Sequence, residues 1–402
     1  MPVRAGRTAA LIAVIGISSS PAAAVPIDEV VRTALQTYPS IALARANTNV
    51  ARFEIDRARA LHYPTIDVVG AQRLAGAAVN LAQPRARLNL WAGGGIEATI
   101  EREQLRTESL ATQELATREE VATATAIAYL RVVRARQLLA ATRRNLERHQ
   151  RLTRDFEEIV RIDAGRRYDL IQSRSRQELV QLQVADREAE LASALEALAR
   201  FYPHPIPLDA FALPAPMPSP VGVIGEAAIE SHPQVVASRQ QLQTAEANIE
   251  VAKAARRPRV DVEATAGAHR ATQLVLSWPA FDLGAAAAES AAAAAVIGAN
   301  AAVAENMRTI AERQRMAMRE WESAGRREAI ARGQIAVAEE VVEVYRAQFQ
   351  IGRRNLLDLL NAYAELANAE LTFEAAGVDR AIARHQIESA VGRLAEFYEQ
   401  KR

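Results

Sequence analysis

The chain has 402 residues, a formal net charge of +1, 5% aromatic and 24% charged residues, and no cysteine. Near-balanced charge excludes a strong nucleic-acid footprint, and the missing cysteines leave nothing for a disulfide or a cysteine-linked lipid anchor. A composition rich in alanine and arginine favours long amphipathic helices over a compact aromatic core, and the length sets a prior of two or three domains.

The first 24 residues read as a secretory signal. Arg4 and Arg7 form the charged start, Thr8 to Ile17 the apolar stretch, and Ala22-Ala23-Ala24 a small-residue cleavage site. The apolar run is too short for a retained membrane span. No later run of about 20 uninterrupted apolar residues follows, so no transmembrane helix is expected.

A short amphipathic helix is predicted over 27–37, closed by Pro39. Ser40 is placed to cap the next helix, to about Leu61, with Ile41, Ala44, Thr48, Ala51, Ile55 and Ala58 on one stripe. Pro64 stops that helix and sends the chain into extended structure. Strands are predicted at 65–74 and 84–91, each near the ~9–11 residues that a tilted strand needs to cross an outer membrane. Leu88 and Leu90 alternate with Arg87, Asn89 and Trp91. A soluble two-faced hairpin alternates in the same way, and the pattern taken alone favours it. Gly93-Gly94-Gly95 lacks the spaced Gly-Lys-Ser/Thr of a phosphate loop and reads as a strand-to-helix swivel.

From Gly95 to Ile162 no proline interrupts a helical pattern that would span ~100 Å at ~1.5 Å per residue. Sparse apolar residues such as Ile127, Leu130, Leu138 and Leu146 suit coiled-coil-like packing along a wall. Gly165 reads as the C-cap, followed by a return helix over about 169–201. A linker with seven prolines between Pro203 and Pro220 cannot be helical.

After the linker the chain says the same thing again. Tyr38-Pro39 and Tyr63-Pro64 are answered by His232-Pro233 and Arg257-Pro258 at one constant offset of 194 residues. Leu90-Trp91 with Gly94 is answered by Trp278 to Phe281 with Gly284, and Gly165-Arg166-Arg167 by Gly352-Arg353-Arg354. Strands are expected at 259–267 and 272–278, a second proline-free helix over 283–351 capped by Gly352, and a return helix over 356–396. The organisation is therefore a signal peptide (1–24), repeat 1 (25–202), a linker (203–220), repeat 2 (221–396) and a short tail (397–402), an internal duplication. Histidines 62, 149, 204, 232, 269 and 385 are scattered without metal-ligand spacing. No catalytic arrangement, cofactor site or metal site stands out, so no enzyme activity is expected.

Signal peptide, helix, two strands, very long helix, glycine turn and return helix, done twice, resembles the TolC family of outer-membrane factors over the whole mature chain. The strongest local motif is Phe349-Gln350-Ile351-Gly352-Arg353-Arg354-Asn355-Leu356-Leu357-Asp358-Leu359-Leu360-Asn361-Ala362, similar to the family's periplasmic tip, above all in members serving type I secretion. Val391-Gly392-Arg393-Leu394 resembles their end.

The resemblance implies a mainly helical fold with a small β part: a homotrimer in which four strands per chain complete one twelve-stranded barrel in outer-membrane lipid, above a tapered helical tunnel. Barrels have no open edges in lipid, which is the physical reason for the trimer. It implies a passive exit duct for a tripartite export system, with a periplasmic adaptor and an inner-membrane ABC transporter or other pump as partners. Type I protein secretion is the first reading and small-molecule efflux the alternative. A periplasmic adaptor is disfavoured because its β-rich parts flank one helical hairpin. A soluble coiled-coil scaffold is the bland reading.

Carried over by position, Arg354 is the gate arginine, Asp169 its acidic partner, Tyr168 the neighbouring polar residue and Asp358 a pore-facing acid. Phe349 stands where a tyrosine is common, and Asn361 where an acid is common. Gly165, Arg166, Arg167, Gly352, Arg353 and Asn355 form the tip turns expected to meet the adaptor. Pro64, Gly94, Pro258 and Gly284 mark the barrel–tunnel junction. The first tip turn is two residues shorter than the second.

Overall fold

The computed structural model describes residues 25–71, 81–220, 224–266 and 270–400. The expected signal peptide, the end of the first strand (72–74) and Gly267 lie outside them.

Repeat 1 runs α1 (Ile27–Thr37), α2 (Pro39–Ala60), β1 (Thr65–Ala71), β2 (Leu81–Trp91), α3 (Gly95–Ile162) and α4 (Arg167–Ala199). Repeat 2 runs α5 (Glu226–Glu230), α6 (Pro233–Ala254), β3 (Arg259–Thr265), β4 (Ala271–Ser277), α7 (Leu283–Gln350), α8 (Leu356–Val391) and α9 (Leu394–Gln400). The duplication is reproduced closely. α2 and α6 both have 22 residues, and α3 and α7 both have 68.

The echoed prolines have a different job from the one expected. Pro39 and Pro233 are each the first residue of a helix, where the missing N–H is no loss. Tyr38, not Ser40, is the N-cap of α2 and makes no side-chain cap, whereas His232 Nδ1 accepts from the Gln234 N–H at 3.2 Å.

Packing is along the length of the helices. α3 lies between α4 and α8, α7 lies on the other side of α8, and α2 and α6 pack on the upper part of α3. The main core gathers α1, the middle of α3, the ends of α4 and α8, and α9; Val30, Ala126, Leu130, Val378 and Tyr398 are fully buried there. The linker crosses this core as a strap. The Tyr129 hydroxyl donates to the Val25 carbonyl at 3.0 Å and accepts from the Ala212 N–H, Arg136 donates to the Phe211 carbonyl, and Arg384 Nε donates to the Pro218 carbonyl at 2.9 Å. Within the strap, Leu208–Ala210 makes one 3-10 turn.

The expected single return helix to 396 is two helices. α8 stops at Val391 and Gly392 takes a left-handed conformation, φ 76°. A Cβ there would stand 2.5 Å from the Pro233 ring, so both the backbone and the close approach require glycine. The chain turns, and α9 folds back onto α3. Its first two N–H groups, of Leu394 and Ala395, donate to the Glu119 carboxylate at 2.9 Å each. The segment read as a tail is thus largely structured, and Tyr398 donates to or accepts from His385 Nε2 at 2.7 Å.

Candidate membrane-facing sheet and periplasmic gate

The four strands form one antiparallel sheet in the order β1-β2-β3-β4. The described strands have 7, 11, 7 and 7 residues. β2 begins before Pro84, whose carbonyl still accepts from the Ala266 N–H at 3.0 Å.

Register fixes the two faces. Thr65 pairs with Arg87, Arg87 with Glu263 and Glu263 with Gln273, which makes one polar row across all four strands. Asp67 with Arg85, and Asn89 with Asp261, extend that face. Arg87 Nε donates to Glu263 Oε1 at 2.7 Å, Arg85 Nε to Asp67 Oδ1 at 3.1 Å, and Asn89 Nδ2 to Asp261 Oδ1 at 2.8 Å. The other face carries Ile66, Val68, Ala86, Leu88, Val262, Leu274 and Leu276.

Burial runs opposite to a water-soluble sheet. Asp261 is 7% exposed, while Ile66, Leu274 and Leu276 are 78%, 66% and 69% exposed. Alternation of this kind with the apolar side outward is the pattern of a lipid-facing barrel wall with a polar lumen. A two-faced soluble hairpin would bury Ile66 and Leu276.

The junction below the sheet ties the two repeats. Gly93 and Gly94 are left-handed, φ 62° and 81°, and turn β2 into α3. A Cβ on Gly93 would meet Arg257 Cβ at 2.6 Å, and Arg257 Nη1 donates to the Gly93 carbonyl at 3.0 Å. Gly94 and Pro258 lie in this connection between strand and helix. Gly284 is not its counterpart in conformation: it lies in the first turn of α7 without a positive φ, and Asp282 caps that helix through the Ala285 N–H at 3.1 Å.

At the far end of the long helices the two tip turns come together. Phe156, Leu356, Leu359, Leu360 and Phe349 form a second buried cluster, with Leu170 and Tyr345 against it. Phe156 and Phe349 have ring centres 5.5 Å apart. The two turns are built differently. Gly352 is left-handed, φ 73°, as expected of a C-cap. Gly165 is not: it lies in a 3-10 turn, Ala164–Arg166, whose N–H of Gly165 donates to Asp163 Oδ1 at 2.9 Å. The shorter turn closes with an aspartate side chain where the longer one uses a glycine backbone.

Within one chain the expected Arg354–Asp169 tie is not made. Asp169 accepts from Arg166 Nη1 at 2.9 Å, one turn back on the same segment. Arg354 donates from Nε to Gln348 Oε1 at 3.0 Å, lies 4.1 Å from the centre of the Tyr345 ring, and has Nη1 3.6 Å from Asp358 Oδ2. Asn355 caps α8 by accepting from the Asp358 N–H at 2.8 Å. Arg353, Arg167, Tyr168 and Asn361 are exposed at the tip. Beside the Phe156–Phe349 contact, Arg166 also joins the repeats here, its guanidinium 5.8 Å from the centre of the Phe349 ring.

Sequence reasoning missed Glu119, Arg257, Phe156 and the Arg166–Phe349 contact. Only Arg257 carried a signal, as the residue of the echoed Arg257-Pro258 pair that enters β3.

Residues 224–393 match the outer membrane efflux protein family. This segment is an outer membrane efflux protein domain. It covers nearly all of repeat 2, and repeat 1 has the same architecture. Solved outer-membrane channels share the fold across both repeats. The Campylobacter jejuni CmeC outer membrane channel superposes with a TM-score of 0.80 at 17% identity, over 91% of this chain and 85% of that one. The Neisseria gonorrhoeae MtrE outer membrane channel in its open state gives 0.78 at 18%, over 91% and 88%. The Vibrio cholerae outer membrane protein VceC gives 0.77 at 16%, over 91% and 96%. No curated protein matches the chain by sequence. Over both repeats the chain has the fold of these outer-membrane channels.

Proposed function

We propose that three copies of this chain close one twelve-stranded barrel and one helical tunnel, forming a passive exit duct for a tripartite export system. The sheet carries the proposal. Its outward face is apolar and its inner face is a ladder of charged pairs, yet β1 and β4 leave two open edges. Open edges are not tolerated in lipid, and three four-stranded sheets in a cyclic assembly leave none. α7 fits the same assembly. Its most apolar stretch has mean hydropathy 1.4 with 11% of it buried in one chain, a surface left for neighbouring helices.

The tip of the second repeat, from Phe349 to Ala362, supports type I protein secretion, with an adaptor and an inner-membrane ABC transporter as partners. The efflux description of the matched family favours small-molecule export as the second reading. Deleting the gene and assaying culture medium for a missing secreted protein, beside sensitivity to antibiotics and dyes, separates them. Loss of a secreted protein with unchanged sensitivity supports the first reading; the reverse result supports the second.

The gate proposal follows from the tip. Arg354 and Asp169, unjoined within one chain, tie neighbouring protomers in the closed trimer, while Asp358 lines the pore and attracts cations.

A further inference from the structure

The apolar face of the sheet ends at two tryptophans, and a bulge puts one of them there. Alternation along β2 would set Trp91 with Arg87 and Asn89 on the polar face. Between Asn89 and Trp91 the register of β2 on β3 shifts, so Asn89 stands opposite Asp261 but Trp91 stands opposite Val260. An extra residue in one strand re-aims the side chains that follow it. Val260 in turn faces Leu276. Cross-strand partners share a face, which places Trp91 in one row with Val260 and Leu276 on the apolar side. Trp278 comes just after β4, next but one to Leu276. The two tryptophans are 51% and 64% exposed, and Phe281 beyond them is 85% exposed.

This level is a boundary. Above it, no strand position on the apolar face carries a charge among the described residues. Below it, polar contacts begin at once: Arg256 with Glu289 at 2.9 Å, and Arg257 on the Gly93 carbonyl at 3.0 Å. A tryptophan combines a large apolar ring system with one N–H donor, so it is most stable where hydrocarbon gives way to headgroups and water. Both rings stand at the end of the sheet that leads into the long helices. A neighbouring copy joined at the β1 and β4 edges leaves the outer face of β2 open, so it does not cover Trp91.

We infer that Trp91 and Trp278 form a collar at the headgroup boundary of the periplasm-facing leaflet, with phospholipid as the partner, and that this collar sets the depth at which the sheet lies in the bilayer. The inference rests on the lipid-facing reading of the sheet. Leu274 separates the two. It is higher on the same face, opposite Val262, and 66% exposed, so it meets lipid if the sheet does, whatever the collar touches.

The test is quenching of tryptophan emission by bromine-labelled phosphatidylcholine, with the full chain reconstituted into vesicles of phosphatidylethanolamine and phosphatidylglycerol. The chain has three tryptophans, and Trp321 lies in the middle of α7 under the Arg380 guanidinium. Trp278→Phe with Trp321→Phe leaves Trp91 as the reporter, and the other two pairs of substitutions leave Trp278 or Trp321. Trp91 and Trp278 should each lose more emission to bromine near the headgroup than to bromine near the chain end, and Trp321 should lose none to either. Leu274→Trp, with phenylalanine at the three native positions, should lose more to the deeper bromine. The wild-type protein, which needs no substitution, should be quenched most by the shallow bromine, and absence of that preference overturns the collar. Quenching of Leu274→Trp with Trp91 and Trp278 unquenched, or quenched most by the deeper bromine, overturns the collar and leaves the lipid-facing sheet standing. No quenching at any position overturns both.

Discussion

Arg166 in the tip turn of the first repeat lies over the ring of Phe349 near the end of the long helix of the second, 5.8 Å from guanidinium carbon to ring centre, while its Nη1 holds Asp169 at 2.9 Å. This arginine therefore helps fasten the two repeats at the tip and occupies the Asp169 carboxylate, the proposed partner of Arg354. In the proposed trimer, a tie from Asp169 to Arg354 of a neighbour would compete with this pairing.

The competition has a measurable consequence. Arg354→Ser and Asp169→Asn should each raise single-channel conductance in planar bilayers with trimer assembly intact, and the double variant should add little. Each contact is worth below ~1 kcal/mol where water reaches it. Three acting on one open–closed equilibrium still shift it several-fold, since ~1.4 kcal/mol is a factor of ten. Arg166→Ser should behave oppositely, freeing Asp169 and lowering conductance. Wild-type conductance in both Arg354→Ser and Asp169→Asn would place the gate elsewhere.

Phe156 is fully buried between Phe349 and the first turn of α8. Phe156→Ala should cost ~3–5 kcal/mol through lost burial and the cavity left behind. The damage should be local. Proteolysis should nick the 163–166 turn faster, while the sheet and the strap core stay protected. Uniform loss of protection would show that the tip cluster is not a separate unit.

Two glycines should respond in opposite directions. Gly392→Ala must place a Cβ at positive φ and 2.5 Å from Pro233, so it should lower the melting temperature clearly. Gly333 is exposed inside α7 with open space around it, and Gly333→Ala should stabilise by up to ~1 kcal/mol. Melts of the two variants under one condition check both signs.

Glu119 gives the fold a pH dependence. Burial pushes its carboxyl up to about 7 from an ordinary value of 4.5, against the lowering effect of the Ala395 and Leu394 N–H groups. A carboxyl with a raised folded-state pKa adds stability that is fully present below 4.5 and is lost as pH rises through about 7. The contribution is on the order of 3 kcal/mol across that window. The docking of α9 should therefore loosen from pH 5 towards pH 8, read as faster amide exchange at Leu394 and Ala395. Glu119→Gln should remove most of that slope and weaken the docking at every pH, because its single oxygen cannot take both N–H groups. An unchanged slope in Glu119→Gln would assign the effect to another group.

Much of this architecture was legible in the residues. The ends of α3 at Gly95 and Ile162 follow from glycine on one side and a proline-free run on the other. The echo of Pro39 and Pro233 gave the duplication. What stayed hidden lies in non-local geometry. Nothing local in residues 163–167 tells a glycine C-cap from an aspartate-closed 3-10 turn; the choice between Gly165 and Asp163 is made by two residues of length. The Glu119 cap joins residues 275 apart in sequence. The tip pairings of Arg166 and Arg354 depend on which helices lie side by side, and alternation at Ile66 to Val69 could not say which face is apolar across all four strands until the sheet register set Arg87 beside Glu263.

The outward face can be tested at one residue. Leu276→Arg puts a charge on the exposed apolar face, at a cost of up to ~2–4 kcal/mol if it lies at the bilayer midplane. It should reduce recovery in the outer membrane, whereas Gln273→Arg, on the polar face, should not. Equal recovery of both would remove the lipid-facing assignment.

The shared barrel is tested most directly by the mass of the wild-type protein extracted in detergent from salt-washed outer membrane. Three chains in one particle are predicted, because only a closed set of sheets satisfies β1 and β4 in lipid. A single chain recovered as a stable, channel-forming particle, or a protein released by the salt wash, would contradict it.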